Sequence, residues 1–319
     1  MRALAAAIVR PVTRGAWLWS YVGALAAWIS IGLVSGRLSL DSLRINAALA
    51  AFLAIAAIGQ MLVVTGGGGG IDLSIPFVIT FSAYWSSGVM NGDDSMLVAG
   101  LAVGLGVGLA AGLANAVVVL GFGIPPIVGT LAIGFVADSG VNVYASRTTL
   151  GAPSPALADF VRGRLLGIPW IVVISAVLAA LAGLFLHRTT SGRRLVAVGQ
   201  SAAAAELSGV VVARVRAIAY VASGVLAGLT GVTLAGYNNG AFLNMGDPYL
   251  LASIGAVVLG GTLIAGGRST AAGTLGGALF LTLIVTLMEV SRLAIGLQNL
   301  FEGLLIILVL IGARGRRVT

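Results

Sequence analysis

Five consecutive glycines, Gly66 to Gly70, followed by Ile-Asp-Leu-Ser, break this chain between two long apolar segments. Glycine gives up more backbone freedom on ordering than any other residue, so such a run turns a chain rather than extending a helix. In lipid, broken helices survive only where the freed backbone groups are buried in protein or line a cavity. The surrounding composition places the break in lipid, with 59% hydrophobic and 9% charged residues and a mean hydropathy of +1.08, against roughly 25% charged residues in soluble domains.

About 20 apolar residues are needed to cross the hydrocarbon core. Segments near 16–35, 45–65, 74–91, 96–121, 125–145, 168–187, 214–236, 250–266, 271–291 and 294–312 meet or approach that length. The expected fold is an all-α integral membrane protein of about ten transmembrane helices, one transmembrane domain over residues 1–319. The third and eighth segments, short or glycine-flanked, are candidates for half-helices. No small-residue cleavage site follows the N-terminal arginines, so Ala16 onward is read as a retained helix. With the N-terminus inside, twelve arginines fall on inner segments and six on outer ones. That asymmetry obeys the positive-inside rule and puts both termini in the cytoplasm.

Several chemistries are excluded. All 18 basic residues are arginines at segment ends rather than on one continuous basic face, which argues against nucleic acid. The chain has no cysteine, hence no disulfide or thiolate metal site. Without lysine it cannot supply a phosphate-binding P-loop, so energy must come from another subunit or a gradient. The single histidine, His187, has no second ligand at metal spacing and no serine elbow beside it. No catalytic residue and no metal ligand is assigned.

The stretch His187 to Arg216 is the longest inner connection. Within it Ser201 to Leu207 is alanine-rich, Ser201 is positioned to cap a short helix, and Gly199 and Gly209 permit turns on either side. It reads as a docking element.

Four ordered stretches carry a family resemblance: GGIDLS (Gly69 to Ser74), VGTLA (Val128 to Ala132), SGRRLVAVGQSAAAAELSGV (Ser191 to Val210) and GAVVLGGTLIAGGRST (Gly255 to Thr270). Together they resemble the membrane-spanning permeases of bacterial ATP-binding-cassette importers, in the ribose-type monosaccharide branch. The resemblance implies a sugar or related polyol as cargo, and a coupling helix at Ser201 to Leu207 that enters a groove of an ATP-binding subunit. Gly192, Arg193, Arg194, Gly199, Gln200, Ser201, Ala204, Glu206, Leu207, Ser208 and Gly209 are the coupling residues it implies. It further implies ATP-binding subunits holding ATP and Mg, an extracytoplasmic sugar-binding protein, a second permease copy or close relative, and the bacterial cytoplasmic membrane. No cofactor is expected in this chain. Ile75-Pro76 follows IDLS where the family usually has Val-Gly, and Ala137-Asp138-Ser139-Gly140 stands where it commonly places Arg-Gly. The resemblance therefore supports a transporter more than it supports ribose.

Polar groups inside apolar segments are the candidates for a solute path, because ionised groups in the bilayer usually face a cavity or a partner. Asp138 has Asn142 one turn beyond it and Phe135 one turn before it, a carboxylate, amide and ring suited to a neutral polyol. Asp72, Ser74 and Phe77 belong to the break and the helix start after it, where Asp72 or Ser74 can cap and Pro76 fits the first turn. In segment four, Gly100, Gly104, Gly108 and Gly112 clear one helix face for a neighbour, with Asn115 on the next turn. A second break at Gly246-Asp247 mirrors Gly70 to Asp72 and hints at an inverted repeat. The alternatives are a branched-chain amino-acid permease of the same superfamily and a stand-alone secondary transporter or channel.

Overall fold

The computed structural model describes residues 16–147, 151–294 and scattered positions from 296 to 307. Its helices, in order, are α1 (Ala16–Ser35), α2 (Leu40–Thr65), α3 (Ile75–Met90), α4 (Leu97–Ala116), α5 (Pro126–Arg147), α6 (Pro155–Arg162), α7 (Trp170–Arg188), α8 (Thr190–Gln200), α9 (Ala202–Leu207), α10 (Val212–Asn238), α11 (Tyr249–Leu259) and α12 (Ala271–Val290). A two-residue antiparallel hairpin, β1 (Arg164–Leu165) with β2 (Ile168–Pro169), follows α6.

Seven of the described helices are long and apolar enough to cross a membrane, which makes this a multi-pass membrane protein. The segments read at 74–91 and 250–266 are shorter as helices. With 16 and 11 residues, α3 and α11 rise about 24 and 16 Å, less than the ~30 Å core. The eighth segment stops at Gly260 because the chain turns there, with Gly261 at positive φ. The tenth, 294–312, lies largely outside the described residues.

Helix α2 is buried on every side from Ala50 to Thr65, which is why its sequence shows no polar face. Helix α10 packs along α2, α3 and α4. The buried residues of α4 are Gly100, Gly104, Gly108, Gly112, Asn115 and Ala116, the stripe read from its sequence. A Cβ on Gly108 would fall on the carbonyl oxygen of Gly224, so the two backbones touch. Helix α4 ends in a π-turn, Val117–Gly121, before the Pro125-Pro126 start of α5.

At one end of the bundle the α3–α4 turn clamps α6. Gly92 N–H donates to the Ala152 carbonyl at 2.9 Å and Ala156 N–H to Asp94 at 2.8 Å. In the same turn the Ser95 backbone N–H, 2.8 Å from Asp93 Oδ1, holds that carboxyl below its usual range. Tyr84 is buried against the ring of Tyr144.

Candidate functional site

The glycine run begins as a turn. Gly67, Gly68 and Gly69 all have positive φ, a conformation closed to most side chains, and Gly68 and Gly69 are exposed. The chain then runs back into the bundle as Gly70 to Ser74, and its backbone donors are taken up within the protein. Asp72 N–H donates to Gln60 Oε1 at 3.1 Å, Leu73 N–H to Thr130 Oγ1 at 3.0 Å, and Ser74 N–H to Asp72 Oδ1 at 3.0 Å.

Asp72 itself is 2% exposed. A buried carboxylate is costly unless hydrogen-bonded, and among the described residues no arginine pairs with it. Neutral donors surround it instead. Ser74 Oγ donates at 2.6 Å and Asn115 Nδ2 at 3.3 Å to Oδ1, and Ser223 Oγ donates at 2.7 Å to Oδ2. Asn115 Nδ2 also reaches Ser74 Oγ at 2.7 Å. The break, α4 and α10 are thus joined at one carboxylate. Ser74 occupies the cap position of α3 but makes no side-chain cap bond, because its hydroxyl is turned to Asp72. Asn115, expected across the α4 packing interface, is drawn to the same carboxylate. Gln60 Nε2 and Asn115 Oδ1 remain buried without a partner.

The second break meets the first helix start directly. A Cβ on Gly246 would strike the Pro76 carbonyl oxygen, and Gly246 N–H donates to Thr80 Oγ1 at 3.0 Å. The beginnings of the two short helices therefore lie close together inside the bundle.

The remaining pathway candidates form a separate group. Phe77 is half-buried, 5.7 Å from the ring of Phe135. Phe135 is 56% exposed, and Asp138 and Asn142 are exposed beside it. Asn142 Nδ2 donates to the Asp138 carbonyl at 3.0 Å and to Oδ2 at 3.3 Å. Phe81, Trp85 and Tyr144 extend the aromatic row along the same α3–α5 face. In the single chain, then, Asp72, Ser74 and Asn115 lie inside the bundle and Asp138, Asn142 and Phe135 on its outer surface. The Phe77–Phe135 contact and the Thr130 hydroxyl, which bonds to Leu73 N–H and the Ile71 carbonyl, link α5 to the break.

The docking stretch is more helical than its sequence reads. Rather than a loop with one short helix, α7 runs to Arg188 and α8 restarts at once, because the Thr189 hydroxyl caps it, accepting from Gly192 N–H at 3.0 Å. Gly199 is not the turn. It lies within α8, packed so closely on the Thr65 carbonyl and Gly267 that no Cβ would fit. Gly192 is likewise buried against the Phe185 carbonyl. The reversal falls at extended Ser201, whose Oγ accepts from Ala204 N–H at 3.3 Å and caps α9. Gly209, with φ +79, closes it. Arg193, Arg194, Gln200, Ala204, Glu206, Ser208 and Gly209 are exposed, and Leu207 is 92% exposed.

Beneath α9, Gln200 Nε2 donates to the Gly267 carbonyl at 3.3 Å and Gly267 N–H to the Thr65 carbonyl at 3.0 Å. Arg216 Nε donates to the Gly66 carbonyl at 3.0 Å. Helices α8 and α9 and the glycine turn are one packed unit, and the turn leads within a few residues to Asp72. Gln60, Thr130 and Ser223 complete this site and were not singled out from sequence. Their only signal is a polar side chain inside a long apolar segment.

A helical bundle crossed by two interrupted helices, with a surface helix tied to one interruption, defines a membrane transport protein. The chain belongs to the family described as the permease component of branched-chain amino acid transport systems, whose sequence model matches residues 43–313. Among curated proteins it is similar to the ribose import permease RbsC of Escherichia coli K12, 30% identical over 305 residues covering 93% of this chain and 94% of that one. It is also similar to RbsC of Bacillus subtilis 168, 35% identical over 251 residues, 76% of each chain. The autoinducer 2 import system permease LsrD of Photorhabdus laumondii is 30% identical over 250 residues, 76% of this chain and 75% of its own. No solved structure matches the chain at a significant level.

Proposed function

We propose that this chain is the membrane-spanning permease of an ATP-binding-cassette importer that moves a sugar or related polyol into a bacterium across its cytoplasmic membrane. The observation that carries the reading is the exposed α9, with Leu207 bare to solvent, packed through Gly199 and Gln200 onto the glycine turn that leads to Asp72. Leu207 and nearby Val211, both exposed, give the end of α9 an apolar surface to offer another protein. A push on α9 would reach Thr65 and Gly66 through backbone contacts that cannot compress. ATP and Mg would be held by two partner ATP-binding subunits, and solute would be delivered by an extracytoplasmic binding protein. Both termini and the α8–α9 region would face the cytoplasm.

The names of the relatives include ribose and autoinducer 2, and these favour a sugar-like cargo over the amino acids named by the family. The exposed face of Phe135, Asp138 and Asn142 suits a polyol, with hydroxyl hydrogen bonds beside an aromatic surface. In this reading that face lines a path completed by a second permease subunit. The test is ATP-dependent uptake into vesicles holding the chain with its partner ATPase and binding protein, assayed with pentoses, hexoses, polyols and branched-chain amino acids. Accumulation of the amino acids alone would overturn the sugar assignment. Accumulation without ATP or an ATPase subunit would overturn the importer.

A further inference from the structure

At the end of the bundle opposite α9, a cleft of about 360 Å³ opens between the first turns of α2, the end of α6, the β-hairpin and the end of α10. Arg44, Arg162 and Arg164 line it, together with Ile45, Ala48 and Tyr237. Arg44 holds Asp41 at 2.8 Å. Arg162 donates from Nε to the Tyr237 carbonyl at 2.9 Å, and among the described residues its terminal nitrogens are left for a ligand. Among the described residues neither Arg162 nor Arg164 has a carboxylate partner, so the cleft carries a net positive charge.

Its rim is apolar in a way a soluble anion does not require. The hairpin turns at Leu166 and Gly167, both at positive φ, a turn that favours asparagine or glycine over leucine. That leucine is 96% exposed, and Leu165 and Ile168 beside it are exposed as well. On the other side Ile45 and Leu49, one turn apart on α2, are exposed next to the arginines and give the cleft a short apolar edge. Trp170 stacks on Phe160 at 5.7 Å next to the hairpin, an aromatic pair of the kind that collects at headgroup level.

We propose that this cleft binds the headgroup of an anionic phospholipid, its phosphate on Arg162 and Arg164, the hairpin tip dipped among acyl chains and one chain lying along Ile45 and Leu49. Arginine grips phosphate through paired N–H donors, and basic pockets between transmembrane helices bind acidic headgroups. The inference needs only a multi-pass protein and is independent of the cargo.

The experiment is native mass spectrometry of the full-length protein in detergent, titrated with phosphatidylglycerol or with phosphatidylcholine of the same chains. One phosphatidylglycerol should be retained in preference to phosphatidylcholine. Arg164→Gln should weaken that retention about fivefold, and Arg164→Lys less. Leu166→Asp, which alters no arginine, should also weaken it and supplies the readout if the arginine variant fails to fold. Equal retention of the two lipids, or wild-type retention in either Arg164→Gln or Leu166→Asp, would overturn the proposal. So would full displacement of the lipid by inorganic phosphate or glycerol phosphate at equal concentration, which marks a free-anion site. A cleft with no lipid preference that is instead protected by an acidic partner protein would overturn it as well.

Discussion

Ser223 donates its hydroxyl to Asp72 across 151 residues of chain, at 2.7 Å, and so ties the middle of α10 to the turn that interrupts the second and third helices. That bond is one of a small set of neutral donors that make a buried carboxylate tolerable without a cation. Ser223→Ala should therefore cost about 1–2 kcal/mol, above the ~0.6 kcal/mol average for interhelical hydrogen bonds in membranes because the acceptor is a carboxylate. Thermal unfolding in detergent would give the loss. The same substitution made on an Asp72→Asn background should cost less, and equal losses on both backgrounds would mean the two residues are not coupled.

The α4–α10 contact can be tested with two neighbouring glycines. Gly108 meets the Gly224 carbonyl, whereas Gly106 has open space where a Cβ would be. Gly106→Leu should not destabilise, and should add up to about 1 kcal/mol because leucine is the better helix former. Gly108→Leu should cost 3 kcal/mol or more, roughly the upper end of overpacking penalties, because backbone rather than a side chain must move. The amount of folded protein recovered from membranes separates them.

Coupling is probed at residues the fold does not need. Ala204 and Leu207 are exposed, so Ala204→Asp and Leu207→Ser should leave the quantity of folded protein unchanged. Both should separate ATP hydrolysis from uptake in the assembled transporter. Undiminished uptake in both variants would remove α9 from the docking surface.

Orientation can be read with an impermeant thiol reagent, since the chain has no cysteine of its own. Ser154, next to α6, is unsuitable because it is buried as the cap of that helix, its Oγ 3.2 Å from Leu157 N. Asp159→Cys and Ala203→Cys, both at exposed positions, are the better pair. In intact cells the first should label and the second should not. The reverse pattern would invert the proposed topology.

The outer face of α5 gives the last test. Asp138→Asn keeps size and most hydrogen-bonding capacity, so uptake of a neutral sugar per folded molecule should fall only partly, whereas Asp138→Leu should nearly abolish it. An exposed position should tolerate both within about 0.5 kcal/mol. Normal uptake per molecule in Asp138→Leu would take this face out of the path.

Much of this architecture is local and so was legible in one dimension. The apolar lengths mark the membrane segments, the glycine run marks the break, the fourfold spacing of Gly100 to Gly112 marks a bare helix face, and Ser201 before four alanines marks a capped short helix. Each depends on residues within a few turns of one another, where propensity and periodicity act directly. The partners of Asp72 do not. Gln60, Asn115 and Ser223 come from three different helices, and in a helix such as α2, apolar on all sides, no amphipathic pattern says which face meets which neighbour. The same holds for Gly199, indistinguishable by sequence from a turn glycine until the Thr65 carbonyl is seen against it. It holds too for Asp138, whose exposure depends on how α5 is set against α3. Which segments are apolar enough to enter the membrane and where they break can be read along the chain, because the gain from apolar burial and the cost of freed backbone groups both add up residue by residue. Which polar side chains share the interior emerges from the fold alone, because it depends on close packing between helices far apart in the chain.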